Sequence, residues 1–171
     1  MSKKDSNLYI YEIKIKTDLS SWKVIHTLQG HLQYITAVDW HPESDKIISS
    51  SQDRNLLVWN YEESKKEWLP QTVNLNVKYS VLDVKWHRKL EKFVATTGTR
   101  LVSIGYYDSK IKFWTCKSSK EHRSSVTCAR LDNSGLFALS GSTDMKAIIT
   151  SSYIPDIDDN SNTENLPFDK V

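Results

Sequence analysis

The sequence predicts an all-β chain built from repeated antiparallel sheets, and three observations lead there. Residues 35–40, 46–50 and 56–59 are short runs in which apolar and polar residues alternate. A period of two marks strands that each bury one face. Turn-forming clusters, His41-Pro42-Glu43-Ser44-Asp45 and Gln52-Asp53-Arg54-Asn55, separate these runs. The pattern then returns: Val81-Leu82-Asp83-Val84-Lys85-Trp86 matches Ile35-Thr36-Ala37-Val38-Asp39-Trp40 at an offset of 46, and residues 93–97 match 47–51 at the same offset. Finally, a histidine-to-aspartate spacing of 22 residues occurs twice, from His31 to Asp53 and from His122 to Asp144.

The first repeat opens on Gly30-His31 and closes on Trp59-Asn60, where Trp-Asp is the commonest ending. A glycine–histidine start, three strands and a terminal tryptophan are the signature of a WD40 repeat, one blade of a β-propeller. Blades take about 40–45 residues and closed propellers need roughly four to eight of them. The chain has 171 residues, too few to close a ring alone. The expectation is therefore an incomplete WD40 propeller: about three blades plus two leading outer strands. An open array of this kind exposes edge strands.

Taken in order, residues 1–7 are polar and expected to be disordered. Residues 8–15 and 22–28 read as strands on either side of a turn at 17–21, giving the outer pair of a first blade over 8–28. The full repeat spans 31–75. Its last strand, 67–75, contains Pro70, which fits an edge position where a missing N–H breaks no central ladder. A second repeat spans 79–117, with strands at 81–86, 93–97, 101–106 and 110–117; it lacks the Gly-His opening and has Thr99 where the first has Asp53. The third, 122–153, has strands at 126–131, 136–140 and 147–153 around the tight turn Asn133-Ser134-Gly135. Residues 154–171 lose strand character and form an acidic loop or tail, with Leu166-Pro167-Phe168 as its one apolar point.

Composition narrows the function classes. Hydrophobic content of 39% and charged content of 26% belong to a globular chain. The net charge of +2 divides into −4 over residues 154–171 and +6 over the rest, with no basic stripe to follow a nucleic acid. No apolar run approaches membrane-spanning length and no signal-peptide core follows Lys3-Lys4, so a cytosolic protein is expected. Cys116 and Cys128, the only cysteines, have no metal-ligand spacing and read as reduced, small core residues. His26, His41 and His87 are scattered and read as surface or turn histidines, and Gly98 and Gly105 form no phosphate loop. Trp40, Trp86 and Trp114 read as blade core, and Trp68 as half-exposed. No cofactor or metal is implied.

Two constellations imitate catalysis. His31, Asp53 and Ser49 or Ser51 form a Ser-His-Asp set on paper, as do His122, Asp144 and Ser142; acyl transfer would use serine as nucleophile and histidine as base. The competing reading is structural. In a WD40 blade the hairpin Asp accepts from the His of the incoming loop, and a strand Ser or Thr and the Trp indole extend the network. Here His31, Ser49, Ser51, Asp53 and Trp59, and then His122, Ser142 and Asp144, would fill those roles and pin loop to hairpin. No nucleophile elbow or oxyanion hole is visible, so a non-enzyme is expected.

A narrower resemblance runs through the chain. Ile10-Tyr11-Glu12, Trp22-Lys23-Val24-Ile25-His26, Val38-Asp39-Trp40 with Pro42-Glu43-Ser44, Asp53-Arg54-Asn55 with Val58-Trp59, and Trp68 with Pro70 are its first parts. Lys92-Phe93, Arg100-Leu101-Val102-Ser103-Ile104 with Tyr106-Tyr107, Arg123-Ser124-Ser125-Val126, Gly141-Ser142 with Asp144, Ser152-Tyr153-Ile154 and Leu166-Pro167-Phe168 continue it in order. These stretches resemble the WD-repeat subunit family of the actin-related protein 2/3 complex. The resemblance implies part of a seven-bladed propeller, from the third strand of blade one to the loop after the third strand of blade four. It also implies a non-catalytic scaffold that helps hold that complex together and contributes to nucleating and branching actin filaments in the cytoplasm, at the actin cytoskeleton. Implied partners are the actin-related proteins, the other subunits and actin filaments, with no nucleic acid and no membrane. Arg54, Arg100 and Arg123, near blade loops, are candidate partner contacts, since arginine is favoured at interfaces; the alternative for each is a solvated or locally paired side chain. A WD40 adaptor for a ubiquitin ligase or chromatin complex is the alternative function.

Overall fold

The computed structural model describes residues 6–75, 77–155 and 157–158. Most of the expected disordered N-terminus and most of the acidic tail, with Leu166-Pro167-Phe168, lie outside the described residues.

Alternation of side chains and hairpin-sized turns give strands that pair with their sequence neighbours. Among the described residues they form four antiparallel sheets. Sheet 1 is β1 (Leu8–Glu12) with β2 (Lys23–Leu28). Sheet 2 runs from β3 (Ile35–Trp40) through β4 (Ile47–Ser51) and β5 (Leu56–Glu62) to β6 (Glu67–Thr72). Sheet 3 repeats it with β7 (Val81–Trp86), β8 (Lys92–Thr97), β9 (Val102–Asp108) and β10 (Phe113–Ser119). Sheet 4 holds β11 (Val126–Leu131), β12 (Phe137–Ser142) and β13 (Ala147–Ser151). The arrangement is consistent with a partial WD40 β-propeller, each sheet one blade. The first strand of sheets 2, 3 and 4 carries the same irregularity, a register shift between Ile35 and Ala37, Val81 and Asp83, and Val126 and Cys128. A β-bulge of this kind bends and twists the strand. From one bulge Thr36 Oγ1 donates to the Val81 carbonyl of the next blade at 2.7 Å.

Three apolar layers join the sheets face to face. Leu8, Ile10 and Leu28 of sheet 1 meet Ile47, Leu57, Trp59 and Trp68 of sheet 2. Ile48, Leu56, Val58 and Val73 of sheet 2 and its connector meet Val84, Trp86, Phe93 and Trp114 of sheet 3. Val94, Val102, Ile104 and Tyr106 of sheet 3 meet Val126, Ala129, Ala138 and Ile154. Sheets 2 and 3 each present opposite faces to their two neighbours, as the period of two demands.

Several boundaries differ from the sequence expectation. β1 stops at Glu12 rather than 15, because the chain folds into a turn: the Trp22 indole N–H donates to the Ile15 carbonyl at 3.2 Å, and Asp18 caps the single 3-10 turn Leu19–Ser21 through the Ser20 amide at 3.0 Å. β6 stops at Thr72 rather than 75. Beyond it the backbone crosses between blades, with the Val73 amide on Leu56 O and the Asn74 amide on Trp114 O, both at 3.0 Å. β10 begins at Phe113 rather than 110, because Asp108 caps the intervening turn by accepting from the Lys110 amide at 2.8 Å. Two burial expectations also fail. Cys128 is exposed, whereas Cys116 packs against the core and burial pushes its thiol upward. Trp40 is half exposed, although Trp86 and Trp114 are core. Of the two places the sequence allowed His41 and His87, surface or turn, both take the turn, and both are buried there.

Candidate functional site

At one end of the blades each incoming loop meets a β-hairpin. His31 Nδ1 lies 2.9 Å from Asp53 Oδ2, and His31 Nε2 lies 2.8 Å from Ser49 Oγ. The Trp59 indole N–H donates to the same Ser49 oxygen at 2.9 Å. The carboxylate can only accept, so His31 Nδ1 carries a hydrogen, and in the neutral imidazole the Ser49 hydroxyl then donates to Nε2. One direction of donation thus runs from Trp59 through Ser49 and His31 to Asp53. The carboxylate also takes the Leu32 amide at 2.8 Å and the Asn55 amide at 2.9 Å, which closes the hairpin and places Arg54 at φ 72°. Burial works to raise the Asp53 carboxyl, but these two amides and His31 together outweigh it and hold it below the ordinary value.

Sheet 4 repeats the arrangement with one correction. His122 Nδ1 lies 3.1 Å from Asp144 Oδ2, but the serine on His122 Nε2 is Ser140, at 2.9 Å, and not Ser142. Ser142 instead occupies the place of Ser51. Ser51 Oγ donates to Gln33 O at 3.2 Å and takes the Asp53 amide at 3.1 Å. Ser142 Oγ likewise donates to Ser125 O at 2.8 Å and takes the Asp144 amide at 3.2 Å. Both serines shape hairpins and neither touches a histidine. The signal for Ser140 was present in the sequence, since it follows His122 by the 18 residues that separate Ser49 from His31. No tryptophan closes this second network: Thr150 stands where Trp59 does, and the Ser140 hydroxyl also lies 3.2 Å from Ile148 O. The Arg123 amide, donating at 2.8 Å, holds the Asp144 carboxyl down to about 2 against burial, with help from His122 and the Lys146 amide.

Sheet 3 lacks the whole set. At the 46-residue offset, Val77, Ala95, Thr99 and Gly105 replace His31, Ser49, Asp53 and Trp59. The hairpin is held by hydroxyls instead, Thr97 Oγ1 to Thr99 Oγ1 at 2.6 Å, and the ring of Phe93 lies over Gly105.

A second family of clasps, which the sequence reading missed, lies at the other end of the blades. His41 Nδ1 accepts the amides of Glu43 and Ser44 at 3.2 and 3.0 Å, and its Nε2 reaches Leu90 O of the next blade at 3.2 Å. His87 does the same one blade on, with the Lys89 and Leu90 amides at 3.1 and 2.9 Å and Asn133 O at 3.2 Å. The repeated Trp-His dipeptides, 40–41 and 86–87, were the available signal. Lys46 pairs with Glu91 across the same boundary. Deeper still, the Lys92 ammonium, fully buried, donates to Gly135 O and Asp158 Oδ2, both at 2.7 Å. Burial pulls its proton affinity below the ordinary lysine value, partly offset by Asp158.

The candidate contact arginines gather at the end where loops meet hairpins. Arg54 and Arg100 follow Asp53 and Thr99 in their hairpins, and Arg123 follows His122 in its loop; all three are exposed. The cavity beside Arg54 and the one beside Arg100 share Val77 as a wall. Among the described residues no group of three or more His, Cys, Asp or Glu is placed to hold a metal ion, and no helix is long and apolar enough to cross a membrane.

The WD domain, G-beta repeat family matches residues 22–60 and 114–151. Actin-related protein 2/3 complex subunit 1A of Arabidopsis thaliana is 34% identical over 159 residues, which is 91% of this chain and 42% of that protein. Subunit 1A-B of Xenopus laevis is 31% identical over 93% of this chain and 42% of its own, and subunit 1 of Schizosaccharomyces pombe 29% over 90% and 42%. The chain therefore spans about two fifths of the length of the curated relatives it matches. Two WD40 repeats are thus matched in sequence, the four sheets are consistent with a partial β-propeller, and the chain is similar over about nine tenths of its length to subunit 1 of the actin-related protein 2/3 complex.

Proposed function

We propose that this chain is a non-catalytic scaffold subunit of an actin-related protein 2/3 complex. It contributes to assembling that complex and to nucleating and branching actin filaments, in the cytoplasm at the actin cytoskeleton. The observation that carries this reading is likeness along nearly the whole chain to subunit 1 from plant, frog and fission yeast. Its partners are the actin-related proteins, the companion subunits and actin filaments; it uses no cofactor and binds neither nucleic acid nor membrane.

The site geometry supports a structural role for the polar clusters. A serine nucleophile needs an approach for substrate, yet Ser49 is fully enclosed and its oxygen is already held between a histidine and an indole. The charged clusters pin loops, and loops pinned on a rigid sheet are suited to presenting side chains to a partner. Arg54, Arg100 and Arg123 are the contacts, because they stand exposed on three pinned loops at one end of the blades.

A tagged full chain, recovered from its own cytosol and read by mass spectrometry, tests the proposal. Actin-related proteins and companion subunits are the expected catch, reduced at least tenfold by the combined Arg54→Glu, Arg100→Glu and Arg123→Glu replacement. Recovery of cullin or histone assemblies instead would overturn it in favour of another adaptor role. Undiminished recovery by the triple variant would remove the arginines from the interface.

A further inference from the structure

Sheets 2 and 3 pack through Val58 and Trp114, and beyond these residues their facing surfaces part. In antiparallel pairing directly opposed residues share a face. Val58 is opposed to Gln71, and two residues on Asn60 is opposed to Leu69, so all four lie on the face of sheet 2 that meets sheet 3. Across from them Trp114 is opposed to Tyr107 on the face of sheet 3 that meets sheet 2. Between these two surfaces lies a cleft of about 320 Å³. It sits where β5 ends at Glu62, the opposite end of the blades from the hairpin that carries Arg54.

The wall of the cleft is fixed in place. The Trp114 indole N–H donates to Gln71 Oε1 at 3.1 Å, and Asn60 Nδ2 donates to the same oxygen at 3.2 Å. The Tyr107 ring stands against Trp114 with centroids 5.5 Å apart, and Tyr107 remains 37% exposed. The charges around the mouth do not cancel. The Lys46 ammonium is paired with Glu91, whereas Glu62 receives only a neutral donor, the Ser64 hydroxyl at 2.8 Å. A carboxylate without a cation thus stands beside an aromatic wall and the apolar Leu69 side chain. That combination suits a cation on a long apolar stem and repels an anion. Arginine fits it better than lysine, because a planar guanidinium both lies on an aromatic ring and offers a carboxylate two parallel N–H donors. The volume is at the low end of the roughly 300–1,000 Å³ of small-ligand sites, room for a side chain rather than for a strand or helix.

We propose that the cleft between sheets 2 and 3 receives an arginine side chain from a partner polypeptide, its guanidinium on the Tyr107 ring and paired with Glu62, its stem against Leu69. Arginine anchors of this kind, seated in a pocket with an aromatic wall, are frequent hot spots of protein interfaces. The site is separate from Arg54, Arg100 and Arg123, so it gives the chain a contact at each end of its blades. It stands whichever complex the chain joins.

N-acetyl-arginine methylamide, which presents the side chain as a polypeptide does, is the probe, titrated into the full chain and followed by the indole N–H resonances. A saturable shift of the Trp114 indole is expected. The citrulline analogue, of the same shape without the charge, is expected to bind at least tenfold more weakly. Glu62→Gln, at an exposed position, and Tyr107→Ala are each expected to weaken binding at least fivefold, with an unchanged unfolding midpoint verifying that Glu62→Gln folds. Met145→Ser, 97% exposed on sheet 4, is expected to bind as the parent does. Equal binding of the citrulline analogue, full affinity in Glu62→Gln, or shifts that spare the Trp114 indole would each overturn the proposal. Free arginine binding at least tenfold tighter than the blocked probe would also overturn it, by making a small molecule the ligand. So would self-association that shifts the Trp114 indole without probe, which would make a second copy the occupant.

Discussion

Removing one hydroxyl from each of the two histidine networks is expected to have unequal consequences. Ser49 Oγ serves two buried groups, the Trp59 indole N–H at 2.9 Å and His31 Nε2 at 2.8 Å. Ser140 Oγ serves His122 Nε2 at 2.9 Å, and its other neighbour, Ile148 O, is a strand carbonyl. A buried polar group left without a partner costs about 1–3 kcal/mol. Ser49→Ala therefore costs about 3–4 kcal/mol and Ser140→Ala about half that, about 1.5–2 kcal/mol. Against a total stability of about 5–15 kcal/mol the first is a severe loss. Urea unfolding gives the overall difference, and amide exchange in β4–β5 and β12–β13 assigns it to a blade, which matters because stacked repeats can open separately. The combination Ser49→Ala with Trp59→Phe sharpens the test, since the second change removes the donor that the first one strands. The pair is expected to cost less than the sum of its parts by about 1 kcal/mol. Equal losses at Ser49 and Ser140, or strict additivity at Ser49 and Trp59, would refute the idea that Ser49 links the indole to the imidazole.

Three further outcomes follow from the same geometry. The Asp144 carboxyl sits at about 2 in the fold against an ordinary 3.8, so the unfolded chain binds more protons between those values; stability is present above about pH 4 and falls as pH drops toward 2, and urea midpoints measured across that window should flatten in Asp144→Asn. Lys92→Met leaves the Asp158 carboxylate buried without its ammonium and is expected to cost about 3–5 kcal/mol, and combining Lys92→Met with Asp158→Leu is expected to recover most of that loss in denaturant titrations. Gly30→Ala places a methyl 2.9 Å from Leu57 Cδ1 and from Trp59 Cη2, and overpacking of this kind costs about 1–3 kcal/mol, readable as a lower thermal midpoint.

Some features of this protein were written locally. Alternation in residues 35–40 and 81–86 fixed β3 and β7 to the residue, because the period of two is a property of the backbone itself. The 22-residue spacing placed His31 on Asp53 and His122 on Asp144, because a loop, a strand and a hairpin of constant length bring those positions together. Strand ends were less legible. Residues 13–15 alternate as β1 does, yet they turn away because Trp22 and Ser21 take the Ile15 carbonyl into a loop.

The sequence by itself therefore determined the strand pattern, the repeat length and the pairing of histidine with aspartate, all of which depend on spacing along the chain. Only the tertiary structure decided what each face meets. Trp40 and Trp86 follow the same pattern, and one is open while the other is core, because burial belongs to the neighbouring blade and not to the strand that carries the residue. His41 and His87 became buried clasps for the same reason: their acceptors, Leu90 O and Asn133 O, lie one blade away, at sequence separations that no local pattern encodes.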